Sequence, residues 1–223
     1  MLHFEILDSK RKTFLPQIIE AGAGFYLAGG TALALHIGHR DSIDFDFFST
    51  QTIDTVALWK DIEHIFVGNT FLKTQEEENT LSCLIAEDIR LSFFGYPYPL
   101  VTPSLSEHKL TLASIAEIGV MKLSAITGRA TLKDYVDLYF ILQQHPLQEL
   151  LTLCTVKFPQ LDTSLILKSL VYFDDIEEEP ILFMKGFEVH TEEITNALTT
   201  AVKDYLVEEL TGGGVNQFMQ DSP

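Results

Sequence analysis

The amino-acid sequence predicts an α+β fold in which a sheet with flanking helices is followed by a helical bundle. Two observations carry this prediction: strand-like apolar runs occur only before about residue 100, and helical periodicity runs almost without interruption after residue 105. Strands first and helices afterwards is the order typical of an α+β protein. We therefore divide the 223 residues into a sheet-containing part over 1–104, a helical part over 105–210 and a flexible tail over 211–223.

The predicted elements of the first part follow one another closely. An amphipathic helix begins after a cap at Asp8 or Ser9 and ends near residue 23. A strand over 25–28 is stopped by two glycines, and a short helix follows at once. The remaining elements are the strand IDFDFF, a helix over 53–66, and the strands FVGNTFLKT, NTLSCLIA and IRLSFFGY, the first two separated by an acidic turn over 76–78.

The segment YPYP over 96–99 is predicted to end the sheet, because proline cannot donate to a strand ladder. Beyond it the apolar residues recur with the period of helices. The predicted helices of the second part cover residues 111–127, 131–144, 146–157, 163–172 and 190–208.

The charge of the chain limits its function classes. Fifteen basic against thirty-two acidic side chains give a formal charge of −17, which excludes a surface built throughout to neutralise nucleic-acid phosphates. No apolar run reaches the roughly 18 residues of a membrane span, and the N-terminus lacks a signal-peptide pattern, so we expect a cytoplasmic protein. Cys83 and Cys154 form no metal-binding pattern and are predicted to be buried core thiols.

The stretch LAGGTALALHIGHRDSIDFDFF over 27–48 carries the most chemical information. A strand leads into Gly29 and Gly30, and a helix begins immediately behind them, where Thr31 adds a hydroxyl. Glycines let backbone N–H groups approach a ligand closely, and a helix N-terminus offers free donors and the positive end of a dipole. This pattern predicts an anion site.

Two carboxylates follow on the next predicted strand, with thirteen residues between Gly30 and Asp44. Asp44 and Asp46 leave the same face of that strand, an arrangement that suits Mg²⁺, which binds one or two carboxylates together with phosphate oxygens and water. A phosphate cradle beside a dicarboxylate indicates metal-assisted phosphoryl or nucleotidyl transfer. Taken singly, each motif is usually a solvated strand face or a simple turn. Their order and spacing together favour the catalytic interpretation.

In this arrangement the motifs resemble the signature of the DNA polymerase β-like nucleotidyltransferase superfamily. The stretch over 27–48 looks like its AbiEii/AbiGii branch, the toxin side of bacterial abortive-infection and toxin–antitoxin pairs. A second stretch, MKLSAITGRATLKDYVDLYFIL over 121–142, resembles the helical motif that this family carries downstream. The resemblance implies a polymerase-β-like mixed sheet, with the helical part completing the active-site cleft.

The resemblance also implies roles for individual residues. Phosphates of an NTP would be held by the glycine turn, and Mg²⁺ by the two aspartates of the strand. The residues so implied are Gly29, Gly30 and Thr31 for the phosphates, Asp44 and Asp46 for the metal, Lys122 for the triphosphate, and Asp134, with or without Asp137, to complete the catalytic site.

Helical spacing gives a second argument for the downstream motif. Lys122 and Arg129 lie seven apart on one predicted helix and so share a face suited to binding phosphate. Asp134 and Asp137, three apart, share a face of the next helix. Without the upstream motif, these four residues would be interpreted as an ordinary surface salt-bridge face.

One position departs from the superfamily pattern, which commonly places a third carboxylate on a later strand beside the D-x-D. On the strand IRLSFF that position is Ser92, and Asp88 lies about 13 Å away along the strand. Either Asp134 supplies the missing acid, or two acids suffice, or the protein binds nucleotides without efficient turnover.

Basic and acidic side chains near the motifs suggest partners. Arg40 either pairs with Asp44 or contacts a phosphate. Together with Lys122, Arg129 and Lys133 it predicts a local basic patch that would admit an RNA acceptor. His36 and His39 have no further zinc ligands nearby and are predicted to be structural. The acidic run DDIEEEP over 174–180 is either a solvated loop or a docking surface for a cognate antitoxin.

The sequence therefore predicts a Mg²⁺-dependent nucleotidyltransferase that transfers NMP from an NTP to an acceptor, which is a tRNA, a protein or a small molecule. The resemblance implies that it is the toxin of an abortive-infection or toxin–antitoxin pair. The alternative is a nucleotide-binding or partner-binding module whose catalysis is weakened by the lack of the third carboxylate. A third hypothesis is a structural partner in which the motif is a relic.

Overall fold

The computed structural model describes residues 2–129, 131–174, 176 and 179–212. The predicted tail lies outside these residues except for its first two, which complete the last helix. The helices are α1 Ser9–Ala21, α2 Gly29–Ile37, α3 Thr55–Ile65, α4 Ile115–Ala125, α5 Leu132–Leu142, α6 Leu147–Lys157, α7 Thr163–Leu170 and α8 Thr191–Gly212. The strands are β1 Tyr26–Ala28, β2 Asp44–Ser49, β3 Phe71–Glu77, β4 Thr80–Ile85, β5 Ile89–Gly95, β6 Leu105–Glu107 and β7 Leu110–Leu112.

The chain divides into two compact units, and the predicted α+β class is confirmed. The first unit contains Met1–Met121 and Pro180–Glu188, and the second contains Lys122–Glu179 and Val189–Pro223. The first unit extends beyond residue 104, where the sequence places a boundary, because two further strands and the beginning of α4 belong to it.

The first unit is built on one mixed sheet with the strand order β3-β4-β5-β2-β1-β7-β6. Strand β2 runs antiparallel to β1 and parallel to β5, and β1 runs parallel to β7. The strand that carries both aspartates therefore lies inside the sheet, with a neighbour on each side. A mixed sheet is what the resemblance implies.

Alternation along β2 separates its apolar and acidic side chains. Phe45 and Phe47 are fully buried, and the ring of Phe47 stacks on Phe93 at a centroid distance of 5.2 Å. Gly22, just after α1, packs against this ring so closely that an added Cβ would lie 2.3 Å from it. Because successive strand residues point to opposite faces, this packing directs Asp44 and Asp46 to the other face of the sheet.

The prediction that the sheet ends at YPYP is wrong. Strands β6 and β7 follow it, and Leu112 of β7 pairs with Leu27 of β1. A helix was predicted from residue 111, but α4 begins after Ser114, whose hydroxyl accepts the N–H of Glu117 at 3.1 Å. The run LTL is too short for its period to distinguish a strand from a helix, and pairing with β1 decides the outcome.

The predicted strand FVGNTFLKT is also shifted. Residues 66–69 form a turn, and β3 begins at Phe71 and continues through Glu76 and Glu77, which were predicted to form a turn. These carboxylates are exposed on a strand at the edge of the sheet, where Lys73 Nζ lies 2.5 Å from Glu76 Oε2. Charged side chains on an edge strand discourage pairing with another chain.

The second unit contains α5 to α8 and is helical, as predicted. Tyr135 of α5 is buried, and its hydroxyl donates to the carbonyl of Ser169 at 2.9 Å. Leu150, Ile166 and Leu198 contribute buried side chains from the other three helices.

The segment Pro180–Glu188 belongs to the first unit, which the sequence did not predict. The N–H of Asp41 donates to the carbonyl of Leu182 at 2.9 Å, and the N–H of Met184 donates to the carbonyl of His39 at 3.0 Å. This segment thus holds the backbone of the turn between α2 and β2.

Both cysteines are free and buried, which confirms their prediction as core thiols. Burial raises the pKa of Cys83 to about 12 and that of Cys154 to about 11. In the part of the chain that the structure describes, no helix is both long enough and apolar enough to cross a membrane.

We expect Phe47→Ala to destabilise the protein by about 3–5 kcal/mol, because the fully buried ring leaves a cavity against Gly22 and Phe93. Urea unfolding followed by circular dichroism measures the change. Val67→Ala is the matched control, since its side chain is 75% exposed, and it should change stability by less than about 0.5 kcal/mol. Equal effects of the two substitutions would contradict this description of the core.

Candidate active site

The Gly-Gly turn connects β1 directly to α2. Gly29 is the first residue of the nine-residue α2 and has φ +70°, a left-handed conformation that glycine adopts at little cost. An added Cβ at this position would lie 3.1 Å from Asp46 Oδ2, so only glycine leaves the space beside that carboxylate open. The N–H groups of the first turn, at Gly29 and Gly30, have no partner within the helix and can bind an anion.

Thr31 is buried, and its hydroxyl is engaged within the protein. Its Oγ1 lies 2.7 Å from Ser42 Oγ and donates to the carbonyl of Asp44. The hydroxyl therefore ties α2 to the start of β2. A contribution of Thr31 to phosphate binding would come from its backbone N–H, since it is the third residue of the helix.

Asp44 and Asp46 leave the open face of β2, as the spacing predicts. Asp44 is exposed and Asp46 is half-buried. In the parallel pair of β2 and β5, Arg90 stands opposite Asp44 and Ser92 stands opposite Asp46. Ser92 thus occupies the strand position directly beside the carboxylate pair, where the superfamily pattern commonly has a third acid.

The carboxylate pair fits a hard divalent cation. Among the described residues, no group of three or more His, Cys, Asp or Glu side chains could hold a metal. Mg²⁺ needs only one or two carboxylates when phosphate oxygens and water supply its other ligands, and the open space at Gly29 adjoins Asp46. The residues present therefore suit an ion that binds together with a phosphate-bearing substrate.

Arg11 supports this strand, a role that sequence analysis missed. Its side chain is buried, Nε donates to the carbonyl of Ile43 at 2.9 Å, and an Nη donates to the carbonyl of Asp88 at 2.8 Å. The residue before Asp44 is thus fixed to α1. In the sequence, Arg11 lies in the polar run SKRK and looks like an exposed helix residue.

Arg40 and the two histidines near the motif are largely enclosed by protein. Arg40 is 3% exposed, and its Nη1 donates to the carbonyl of Asp41 at 3.0 Å. His36 Nε2 lies 2.8 Å from the carbonyl of Ala113, and burial lowers the pKa of this imidazole, which keeps it neutral. His39 is fully buried. These positions agree with the structural roles predicted for the histidines.

A second cluster of predicted residues lies within the second unit. Lys122 Nζ is 2.6 Å from Asp134 Oδ1 and 2.7 Å from Asp137 Oδ2. All three side chains are at least 92% buried. For these three residues the alternative of an ordinary surface salt-bridge face is therefore wrong, because their charges are removed from water and paired with one another.

Arg129 reaches this cluster from the segment just after the turn that follows α4, and not from a helix. The helix predicted over 111–127 ends at Ala125, so the prediction that Lys122 and Arg129 share a helical face is wrong. Arg129 Nε nevertheless lies 3.0 Å from Asp134 Oδ2, and Thr131 Oγ1 donates to the same oxygen at 2.9 Å. Asp134 therefore accepts hydrogen bonds on both carboxylate oxygens.

The paired charges change the pKa values of this cluster. Burial by itself would lower the pKa of Lys122, but the charges of Asp137 and Asp134 outweigh it and raise this pKa above its ordinary value. Burial would raise the pKa of Asp134, but the charge and hydrogen bond of Lys122, together with Arg129 and Thr131, lower it. Both partners are thus held in their charged forms at neutral pH.

The four cations of the predicted basic patch differ in accessibility. Arg40 and Lys122 are buried, whereas the side chains of Arg129 and Lys133 are 62% and 42% exposed. Lys133 Nζ lies 2.5 Å from Glu179 Oε2. Of these four residues, only Arg129 and Lys133 present positive charge at a surface, and each is paired with an acid.

Comparison with known proteins agrees with these features. The model of the family described as nucleotidyl transferase AbiEii toxin, type IV toxin–antitoxin system, matches residues 17–208. A protein of Aquifex aeolicus (strain VF5), described as uncharacterised, is 35% identical over 208 residues. The aligned region covers 90% of this chain and 98% of that protein.

Solved structures share the fold. A Helicobacter pylori protein assigned as a nucleotidyltransferase matches with a TM-score of 0.59 and 17% identity, covering 92% of this chain and 99% of its own. The nucleotidyltransferase toxin MenT4 of Mycobacterium tuberculosis matches with a TM-score of 0.55 and 16% identity, covering 84% and 82%. At these identities the likeness shows a common fold.

We expect Lys122→Met to destabilise the protein by about 3–5 kcal/mol at pH 7, because it leaves two buried carboxylates without their shared cation. Lys133→Met is the matched control, since it removes a cation from a partly exposed pair and should cost less than about 1 kcal/mol. Urea unfolding of both variants measures the difference. Similar losses in the two variants would contradict the buried cluster.

The same variant should show a distinct pH dependence. In the wild type, the lowered pKa of Asp134 contributes stability that is complete above the unfolded value of about 3.9 and is lost as the pH falls through the folded pKa. Removing Lys122 raises the pKa of the buried carboxylates in the folded state. Their protonation at lower pH then removes the uncompensated buried charge and restores part of the variant's stability. The stability gap between wild type and Lys122→Met should therefore narrow between pH 7 and pH 5.

Proposed function

The chain belongs to the AbiEii family of nucleotidyltransferase toxins, and on that premise we propose that it is a Mg²⁺-dependent enzyme that transfers NMP from an NTP to an acceptor hydroxyl. The observation that carries the proposal is the contact between two motifs. The glycine turn at the start of α2 adjoins the Asp46 carboxylate, and Asp44 leaves the same strand face. Phosphate-binding N–H groups and metal-binding carboxylates therefore stand side by side.

We assign Asp44 and Asp46 to the metal. Mg²⁺ held there would neutralise charge that develops on the phosphates and orient the reacting oxygens. The chain itself has a charge of −17, so a triphosphate needs cations beyond those that the protein offers at its surface. Gly29 and Gly30 would bind phosphate oxygens through their N–H groups without adding charge.

The transfer itself requires no covalent enzyme intermediate. The acceptor oxygen attacks the α-phosphorus, the bond from that phosphorus to the bridging oxygen breaks, and pyrophosphate leaves with the bond electrons. The hydroxyl proton passes to a base. The two carboxylates would hold the metal ion, and the N-terminus of α2 would orient the phosphates, so the contribution of the chain is positioning and electrostatic stabilisation.

We assign Lys122 to the triphosphate and Asp134 to the completion of the site, as the resemblance implies. The ion pairs within the second unit favour a positioning role for the aspartates. Asp134 and Asp137 keep the ammonium of Lys122 charged and limit its motion. Arg129 is held by the same Asp134 and remains largely exposed, which suits contact with phosphate.

The partners follow from the family and from the distribution of charge. We propose an NTP as substrate and a cognate antitoxin as the regulator, since the family is described as part of a type IV toxin–antitoxin system. An RNA acceptor would use Arg129 and Lys133, the two exposed cations of the predicted patch. Such binding should weaken as salt rises.

The position of Ser92 opposite Asp46 favours a second candidate function, that of a nucleotide-binding protein with weak turnover. Ser92 is buried and stands beside Asp46 on the neighbouring strand, so no carboxylate is supplied from this position. Asp88 lies four residues earlier in the chain, and its carboxylate forms an ion pair with Lys10 of α1.

We expect Asp44→Asn/Asp46→Asn to abolish Mg²⁺-dependent transfer of label from an α-labelled NTP to components of a cell extract. The isosteric amides remove the charges that bind the metal but preserve the strand. The control is Asp61→Asn/Glu63→Gln, which removes the same number of charges from exposed positions of α3. If the first variant transfers as much label as the control, the proposed function is wrong.

Ser92→Asp tests the second candidate. If the lack of a third acid limits catalysis, we expect the substitution to raise the transfer rate at least about tenfold, a barrier change of about 1.4 kcal/mol. Ser92→Asn is the uncharged control of the same size, and calorimetry of NTP binding separates affinity from turnover. An active wild type whose rate is lowered by Ser92→Asp would show that two carboxylates suffice.

A further inference from the structure

We propose that an aromatic surface beside the carboxylate pair stacks on a nucleobase. The surface consists of Phe48, Phe94, Tyr96 and Tyr98, and we call it the aromatic shelf. The inference rests on the proposed function and extends it, because phosphate and metal sites do not recognise the base. The ligand is a planar nucleobase, carried either by the incoming NTP or by a single-stranded nucleic-acid acceptor.

The strand register places the shelf next to the site. Phe48 lies two residues beyond Asp46 on β2, so both side chains leave the same face, about 7 Å apart along the strand. On β5, Phe94 stands opposite Phe48, just as Ser92 stands opposite Asp46. A nucleotide whose phosphates lie at the carboxylates would extend its sugar and base over a comparable distance.

The rings form a continuous series that ends at the surface. Ring centroids are 5.0 Å apart for Phe48 and Phe94, 5.5 Å for Phe48 and Tyr96, and 4.8 Å for Tyr96 and Tyr98. Tyr26, which is buried, stacks on Phe48 from β1 at 5.8 Å. Tyr98 is 38% exposed and the other three rings of the shelf are half-buried, so the series supports an accessible aromatic face.

Backbone contacts hold the shelf in place. The N–H of Tyr96 donates to the carbonyl of Ser49 at 2.7 Å, and the N–H of Tyr98 donates to the carbonyl of Tyr96 at 2.7 Å. Pro97 and Pro99 restrict φ on either side of Tyr98. Rings that are ordered before binding lose little conformational entropy when a ligand stacks on them.

Stacking also suits the charge of this protein. Aromatic side chains bind bases through their faces and add no positive charge, whereas Arg40, the cation nearest the motif in sequence, is buried. A ring that served only to seal the core would be covered, but Tyr98 exposes more than a third of its surface. The shelf therefore offers affinity for the base without added positive charge, in a chain whose thirty-two acidic side chains outnumber its fifteen basic ones.

Calorimetry with Mg²⁺ tests the proposal on full-length Tyr98→Leu and Phe48→Leu, using ATP, GTP, CTP, UTP and inorganic tripolyphosphate. Loss of stacking should weaken the binding of at least one NTP about fivefold or more and leave the binding of tripolyphosphate unchanged. Tyr172→Leu is the control, because it removes a tyrosine that is 50% exposed in the second unit. Since Tyr98 is exposed, its variant should fold normally by circular dichroism even if Phe48→Leu does not.

A short single-stranded RNA, such as oligo(A), distinguishes the source of the base. Weaker RNA binding in Tyr98→Leu with unchanged NTP binding assigns the shelf to the acceptor, and the converse assigns it to the NTP. The proposal is overturned if a folded Tyr98→Leu variant binds every NTP and the RNA with the affinity of the wild type. It is also overturned if the variant's affinity for tripolyphosphate falls as much as its affinity for the NTPs. A wild type that binds no NTP would refute the proposed function, and the RNA measurement would then decide the role of the shelf.

Discussion

The register between β1 and β2 determines how the groups of the candidate site in the first unit meet. It sets Ala28 opposite Asp46, so the turn at Gly29 falls directly beside that carboxylate. A shift of one residue would exchange the two faces of β2 and bring the aspartates into the core in place of Phe45 and Phe47. Burial of these two rings is therefore what keeps the carboxylates on the open face, because exposing them would cost several kcal/mol.

Charge is organised differently in the two units. In the first, two carboxylates share a strand face, an arrangement that suits a divalent ion. In the second, Lys122 is enclosed between Asp134 and Asp137, and the pairing compensates for the loss of hydration. Two buried cations, Arg11 and Lys122, are thus paired with acids of the chain itself. Under the proposed function, a metal ion, backbone N–H groups and aromatic rings would bind the nucleotide to a chain whose formal charge is −17.

Several elements could be predicted because their local pattern has a single interpretation. The strand IDFDFF alternates between apolar and acidic residues from Ile43 to Phe47, and its place after the Gly-Gly turn follows from chain order. The shared face of Asp44 and Asp46 and the position of Ser92 beside them were therefore accessible from the sequence. The run LTL over 110–112 was not, because three residues fit either a strand or the start of a helix until β1 provides a partner. Arg129 was placed on a helix that in fact ends at Ala125.

The sequence by itself determined the α+β class, the family, and the residue types of the candidate site, because these depend on local period and on motifs with fixed spacing. Only the tertiary structure decided that Lys122 is buried between two acids, that Arg11 anchors the strand before Asp44, and that Pro180–Glu188 joins the first unit. Each of these contacts joins residues far apart in the chain or depends on burial. Long-range contacts and burial are not encoded in a local sequence pattern, since they arise when separate elements pack together.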